Sequence, residues 1–160
     1  MNEVIATLLR SIDQAFDHNS WHGTNLKGSI RGIDHTTASW RPSASRHNIW
    51  ETVVHAAYWK YIVRRRLLSE ARGSFPLQGS NWFRRPLGPE SADNEWKADR
   101  QLLVSTHKSL REAVATFNPR EIYQTPPTSK VSNIDLILGV AAHDLYHAGQ
   151  IQLLKRLQKA

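Results

Sequence analysis

Four segments of the chain repeat their apolar residues with the period of an α-helix. They span about residues 2–18, 43–68, 91–117 and 132–159. In the first segment the apolar residues recur at intervals of three and four: Ile5, Leu8, Leu9, Ile12 and Phe16. The second segment is apolar on most sides, which is typical of a central helix in a bundle. Because no internal repeat and no strand pattern accompanies them, the four segments predict an all-α, four-helix-bundle domain that takes in the whole chain, 1–160.

Two long connections separate these helices. Residues 19–42 and 73–89 are rich in Gly, Pro, Ser and Trp and have no sustained period. Connections of this length allow crossovers, so the helices need not simply alternate up and down. Long loops inside a compact domain are often functional, and we expect Trp21 and Trp40 to anchor the first one.

The predicted buried seam of the fourth helix is polar at its centre. Alternating steps of four and three residues give the seam Leu136, Val140, His143, His147, Gln150, Leu154 and Leu157. A buried polar side chain needs a hydrogen-bond partner or a ligand, because an unpaired one costs free energy. His143 and His147 are neighbours on one helical face, about 5–6 Å apart at Cβ, so their imidazoles can reach one metal ion.

A third histidine lies at a matching depth in the second helix. His55 is near the middle of an apolar helix, as His143 is in its own helix. If the two helices run antiparallel, His55, His143 and His147 form one cluster. Three neutral imidazoles with a free fourth position are typical of a catalytic divalent-metal site, and the free position takes water or a substrate atom.

Other polar residues are candidates for supporting this site. Gln150, one turn after His147, can hydrogen-bond a ligand histidine or the bound species. Glu51 and Asp144 are candidates for the carboxylate that orients an imidazole N–H, and we prefer Glu51 because Asp144 points to a different face from His143. The remaining histidines are interpreted as surface residues, with His22 also able to approach the site: His18, His22, His35, His47 and His107.

Gly149 interrupts the fourth helix. A mid-helix glycine costs about 1 kcal/mol relative to alanine. Its presence suggests that a neighbouring helix or loop approaches closely at this position.

Composition narrows the chemistry. The chain has no cysteine, so a thiol taking part in the reaction must come from a small molecule. No apolar run approaches the ~20 residues that span a bilayer, and the N-terminus lacks a signal peptide, so we expect a cytoplasmic protein with no membrane partner.

The net charge of +7 is concentrated at Arg64–Arg66 and Arg84–Arg85. Because no base-reading motif accompanies these arginines, we favour a solvated basic surface over a nucleic-acid site.

These motifs together resemble the DinB-like (DinB/YfiT) superfamily. The matching residues, in chain order, are Trp21-His22-Gly23, Ile49-Trp50-Glu51, Val54-His55-Ala56, Tyr58-Trp59, Trp96 with Asp99, and the string from His143 to Ile151. The resemblance implies a bundle of up-down-down-up topology. It also implies a divalent metal, often nickel or zinc, held at the positions of His55, His143 and His147. Characterised relatives include enzymes that use low-molecular-weight thiols, as S-transferases or isomerases, and others proposed to be metal-dependent hydrolases.

The sequence and the resemblance lead to one leading functional hypothesis. They predict a divalent-metal-dependent enzyme that acts on a small molecule, with transfer of an exogenous low-molecular-weight thiol as the preferred reaction. A metal-dependent hydrolase with the same three histidines is one alternative. A non-enzymatic basic bundle that binds nucleic acid or a protein is another. A homodimer is a candidate state, because dimers are common among the relatives.

Overall fold

A computed structural model of the chain describes residues 2–88 and 90–159. Within these residues the protein is all-helical, with six α-helices, one short 3-10 helix and no β-strand. The helices are α1 (Glu3–Phe16), α2 (Leu26–Ser29), α3 (His35–Ser39), α4 (Ile49–Leu67), α5 (Ala92–Ala115) and α6 (Asn133–Leu157), and the 3-10 helix is Pro119–Glu121. The four long helices correspond to the four predicted segments. The all-α class is therefore confirmed, while the order of the helices in the bundle stays a prediction.

Helix α4 begins later than the sequence predicted. Its N-cap is Asn48, five residues after residue 43, where the predicted segment began. The Asn48 side chain accepts a hydrogen bond from the backbone N–H of Glu51 at 2.8 Å, and the Glu51 carboxylate accepts one from the backbone N–H of Asn48 at 3.4 Å. This reciprocal pair is a capping box, which satisfies two backbone donors at the start of the helix.

The first long connection is anchored differently from the prediction. Trp21 is fully exposed, so it does not hold the connection in place. Two short helices, α2 and α3, lie within the connection, and each begins at a capping side chain, Asn25 and Asp34 respectively. Their buried residues Leu26 and Ala38 join the main core, because an apolar side chain removed from water stabilises the fold.

The four long helices pack so that α4 contacts α5 and α6, and α1 contacts α6 and α5. Helix α4 is buried on most sides, as its composition predicted. Helix α6 buries a stripe that differs slightly from the predicted seam, since Asp144 lies on it and Leu157 is exposed. Gly149 is also exposed, and a Cβ added there would meet no atom within 4 Å. The close approach that Gly149 suggested is thus absent within the described part of the chain.

Several charged residues of the chain are paired inside the protein. Lys60 and Asp144 form an ion pair between α4 and α6, and each side chain is 1% exposed. Arg85 is buried against Asp99, with a distance of 2.7 Å from its Nε to the carboxylate. Arg65 is also buried. Arg65 and Arg85 therefore do not belong to the solvated basic surface that the sequence predicted.

No helix among the described residues is long and apolar enough to cross a membrane.

His107 is predicted to be a surface residue, but it lies in the core between α1 and α5. Its ring stacks on Phe16 with the centroids 3.7 Å apart, and its Nε2 is 3.8 Å from a carboxylate oxygen of Asp13. Its Nδ1 is buried without a hydrogen-bond partner. Burial lowers the pKa of His107 from 6.5 to about 3, so the folded protein holds this imidazole neutral.

We predict that His107 makes the protein sensitive to acid. A base whose pKa is lower in the folded state binds fewer protons than it does in the unfolded chain, so stability is lost as the pH falls below 6.5. Between pH 7.5 and pH 5 the metal-free wild type should lose about 2 kcal/mol more unfolding free energy than the His107→Gln variant. Urea denaturation at the two pH values measures the difference. Equal losses in the two proteins would contradict this explanation.

Candidate metal centre

Three histidines from two helices converge on one point. His55 lies on α4, and His143 and His147 lie one turn apart on α6. The Nε2 atom of His143 is 3.1 Å from that of His55 and 3.0 Å from that of His147. Among the described residues, these three side chains form a group whose ligand atoms all lie within 4.8 Å of one another.

Hydrogen bonds on the far side of two rings determine which nitrogen carries the proton. Nδ1 of His55 is 2.8 Å from the backbone carbonyl oxygen of Asn81, which can only accept. Nδ1 of His147 is 2.7 Å from Oε1 of Gln150. Each Nδ1–H therefore donates outward, and each Nε2 lone pair is directed into the cluster. The contact of Gln150 with His147 is one of the two roles that the sequence allowed for Gln150.

Burial keeps the three imidazoles neutral. It is the largest cause that lowers the pKa of His143 to about 3 and that of His147 to about 4, and it also lowers the pKa of His55. In His143 and His147 the neighbouring histidines add to the effect, because a second positive charge in the cluster would be repelled. Metal ions bind the neutral form of imidazole, so these rings are ready to act as ligands without first losing a proton.

The nitrogen positions fit a bound cation. Two nitrogens that each bind a zinc-sized ion at 2.0–2.1 Å in tetrahedral geometry are about 3.3 Å apart. The distances from Nε2 of His143 to Nε2 of His55 and of His147, 3.1 and 3.0 Å, are close to that value. Without a cation, at least two lone pairs would face each other in a largely buried space. Nδ1 of His143, which is buried and has no hydrogen-bond partner, leaves one ring of the cluster incompletely satisfied.

The second long connection forms one wall of the centre. Trp82 stacks on His55 with 3.8 Å between the ring centroids, and its other face stacks on His47 at 3.6 Å. The neighbouring Asn81 accepts a hydrogen bond from Trp59 Nε1 at 3.0 Å through its side chain, while its carbonyl binds His55. Asn81 has a φ of +66°, in the left-handed region where asparagine is tolerated better than most residues.

The role of Asn81 is not predicted by the sequence. The one available signal was the tryptophan pair that surrounds it, Trp59 on a predicted helix and Trp82 in a long connection. Nothing in the spacing shows that a backbone carbonyl would orient His55, because a main-chain acceptor carries no sequence signature.

The two carboxylates considered for this role have other partners. Glu51 binds Arg41 through both carboxylate oxygens and is 3.1 Å from His47 Nδ1. Asp144 pairs with Lys60, and its other oxygen is buried without a partner. Burial raises the pKa of Asp144 to about 6, against the opposing effect of Lys60. Neither carboxylate hydrogen-bonds a histidine of the cluster.

His22 does not take part in the centre. Its side chain is exposed, and it does not belong to the histidine group. The centre thus consists of His55, His143 and His147, with Asn81 and Gln150 as hydrogen-bond acceptors.

The fold is all-helical among the described residues, and three histidines that could hold a divalent metal converge from two of its long helices. A family model described as the DinB superfamily matches residues 18–151, and the chain belongs to that superfamily. The match includes all three histidines and both of their acceptor residues. No curated protein and no solved structure gives a significant match to the chain.

We predict that Gln150 supports metal affinity through His147. Replacing the acceptor in Gln150→Leu leaves the Nδ1–H of His147 unpaired and its ring free to turn, which should weaken metal binding about 10- to 100-fold. Competition with a chelator of known affinity measures the change.

Gln152→Leu is the matched control. Gln152 lies on the same helix and donates to Thr24 rather than to a histidine. Equal affinities in the two variants would show that the hydrogen bond to His147 has no influence on the metal.

Proposed function

We propose that the three histidines hold a divalent metal ion and that the protein is a metal-dependent enzyme acting on a small molecule. The convergence of three histidine Nε2 atoms, two from buried side chains and one from the half-buried His143, is the observation that carries the proposal. Imidazole ligands suit zinc, nickel, copper and iron, and the family resemblance favours nickel or zinc. Three protein ligands leave room for a further ligand, which is the arrangement of a catalytic site.

We also propose that the four long helices follow the up-down-down-up order. The ring of Phe16 lies close to both Lys60 on α4 and His107 on α5, while Trp50 and Asp99 meet nearer the start of those helices. These contacts support parallel α4 and α5. Asp13 binds Arg111 and Phe16 stacks on His107, so the contacts run in opposite directions along the two helices and support antiparallel α1 and α5. Lys60 pairs with Asp144 and His55 lies beside His147, which supports antiparallel α4 and α6.

Thiol transfer is the reaction that we prefer. When bound, the ion would favour the thiolate form of a sulfur at its free position and so supply a nucleophile at neutral pH. In such a transfer the thiol sulfur would bond to an electrophilic carbon, the leaving group would depart with the electrons of the broken bond, and the thiol proton would pass to solvent.

The chain's own residues contribute orientation and exclusion of water. Asn81 and Gln150 hold the Nδ1 protons of two rings, so that their Nε2 lone pairs stay directed inward. Trp82 covers one face of His55 and limits the access of water to that ring. The buried pair of Lys60 and Asp144 holds α4 and α6 in register beside His143.

A basic groove beside the centre supports a small anionic substrate. It has a volume of about 300 Å³ and is lined by Trp82 and His47 together with Arg41, Arg46 and Arg84. Arg41 is paired with Glu51, whereas Arg46 and Arg84 are exposed. Because Trp82 stacks on His55 and also lines the groove, a carboxylate of a low-molecular-weight thiol would find cations close to the centre.

Removal of one histidine tests the metal site. We expect the purified wild type to contain about one divalent ion per chain by elemental analysis. His147→Ala should lose stoichiometric metal and keep its helical circular dichroism, because a two-histidine remnant binds metal weakly. Added Ni²⁺ or Zn²⁺ should raise the melting temperature of the wild type and not that of the variant.

His22→Ala is the matched control, since His22 is exposed and outside the cluster. It should bind metal as the wild type does. Full metal occupancy in His147→Ala would show that the ligand assignment is wrong.

Activity assays separate the remaining reactions. The metal-loaded protein should consume a low-molecular-weight thiol in the presence of an electrophile such as an activated aryl halide, and His147→Ala should not. Hydrolysis of ester or amide substrates without thiol consumption would favour the hydrolase. Salt-sensitive binding to random DNA by a protein that takes up no metal would favour the non-enzymatic bundle.

A further inference from the structure

A second cavity lies between the first long connection and α5. It has a volume of about 430 Å³, which is within the range of small-molecule sites. One wall comes from residues 27–32, around α2, and the other from residues 97–104 of α5. We call it the α2–α5 pocket. None of the residues that line it belongs to the histidine centre or to the basic groove at Trp82.

One hydrogen bond ties the two walls of the α2–α5 pocket together. Trp96 on α5 donates from its Nε1 to the backbone carbonyl oxygen of Ile33 at 2.9 Å. The chain reaches Ile33 through Gly32, whose φ of +72° lies in the left-handed region that glycine adopts at low cost. Ile30 and Leu103 line the pocket with buried apolar side chains. The pocket is therefore built into the fold and has an apolar floor.

The charged side chains of the lining are mostly cationic. Four of them are positive and one is negative: Lys27, Arg31, Lys97, Arg100 and Asp17. The two lysines have acidic partners, since Lys27 is 3.4 Å from Asp17 and Lys97 is 2.6 Å from Asp93. No carboxylate among the described residues forms an ion pair with Arg31 or Arg100. The pocket thus has an uncompensated guanidinium on each wall.

Arg100 is oriented by packing rather than by a hydrogen bond. Its guanidinium lies over the ring of Trp96, with the central carbon 5.5 Å from the ring centroid. A cation at that distance from the face of a tryptophan is attracted to the ring. The Nε of Arg100 is buried and has no hydrogen-bond partner in the described part of the chain. An oriented guanidinium without an acidic partner is suited to binding an anion.

Two guanidinium groups on opposite walls favour a phosphate over a carboxylate. A carboxylate has one charge and two oxygens, and a single guanidinium can pair with both oxygens. A phosphate monoester has a charge of about −1.5 to −2 at pH 7 and three acceptor oxygens. It can therefore accept hydrogen bonds from both walls at once. The apolar floor at Ile30 and Leu103 suits the carbon part of such an ester.

We propose that the α2–α5 pocket binds a small organic phosphate monoester. Arg31 and Arg100 bind the phosphate oxygens, and Lys27 and Lys97 add to the positive potential around them. The proposal does not depend on the metal or on the reaction at the histidine centre. A protein that takes up no metal and still binds a phosphate monoester here would support it, although the function proposed above would then be wrong.

Isothermal titration calorimetry with phenyl phosphate tests the proposal. The wild type should bind phenyl phosphate, and it should bind benzoate, which carries a carboxylate on the same ring, at least about 10-fold more weakly. Arg31→Gln and Arg100→Gln should each weaken the binding of phenyl phosphate about 10- to 100-fold, because each removes a hydrogen bond between charged groups. Helical circular dichroism verifies that the variants fold. Arg31 is exposed, so its variant keeps the test valid if loss of the contact with Trp96 unfolds the other.

Two further variants separate binding by the guanidinium from the effect of surface charge. Arg100→Lys keeps the charge but loses the planar pair of donors, so its affinity should lie between those of the wild type and Arg100→Gln. Arg120→Gln is the matched control. Arg120 is exposed, forms no ion pair among the described residues and does not line the pocket, so this variant should bind phenyl phosphate as the wild type does.

Three results would overturn the proposal. The first is a wild type that does not bind phenyl phosphate at millimolar concentration, or binding that Arg31→Gln and Arg100→Gln both leave intact. The second is binding that is lost instead in Arg46→Gln or His147→Ala, which would assign the phosphate to the groove at Trp82 or to the histidine centre. The third is equal affinity for benzoate, or binding of a single-stranded oligonucleotide without binding of phenyl phosphate.

Discussion

The contact between α4 and α6 at mid-length is the constraint on which the rest of this structure depends. It brings His55 to the pair of histidines on α6, and the buried ion pair of Lys60 and Asp144 lies directly beside it. Each of these charges is acceptable inside the protein only because the other is there, and removing one partner of a buried pair typically costs about 3–5 kcal/mol. A slip of α6 along α4 would separate the charges and the histidines together. The ion pair and the histidine cluster therefore specify the same register.

The second long connection completes what the helices begin. It passes over the open side of His55, where Asn81 supplies an acceptor and Trp82 supplies a stacked ring. Asn81 reaches back to Trp59 on α4, so the connection and the helix hold each other in place around the histidine. A loop that would otherwise only join α4 to α5 thus sets the tautomer of His55 and the access of water to its ring.

Helix α6 serves two surfaces at once. Its inner side carries two of the three histidines and the buried aspartate, and its outer side is apolar and exposed. Tyr146 connects the two, because its side chain is exposed on the outer side while the centroid of its ring lies 5.1 Å from that of the His147 ring.

The helical class, the four long helices and the three histidines could be read from the sequence, because apolar periodicity and spacing of one turn are local properties of a helix. The burial and the interaction partners of individual polar residues could not be predicted in this way. Glu51 and Asp144 each looked able to orient a histidine, but the structure pairs them with Arg41 and Lys60, and His107 looked exposed but is buried against Phe16. The acceptor for His55 is a backbone carbonyl, which any residue type provides. Periodicity determines which side of a helix is buried, whereas the partner of a buried polar group depends on which other element reaches it, and only the tertiary structure decides that.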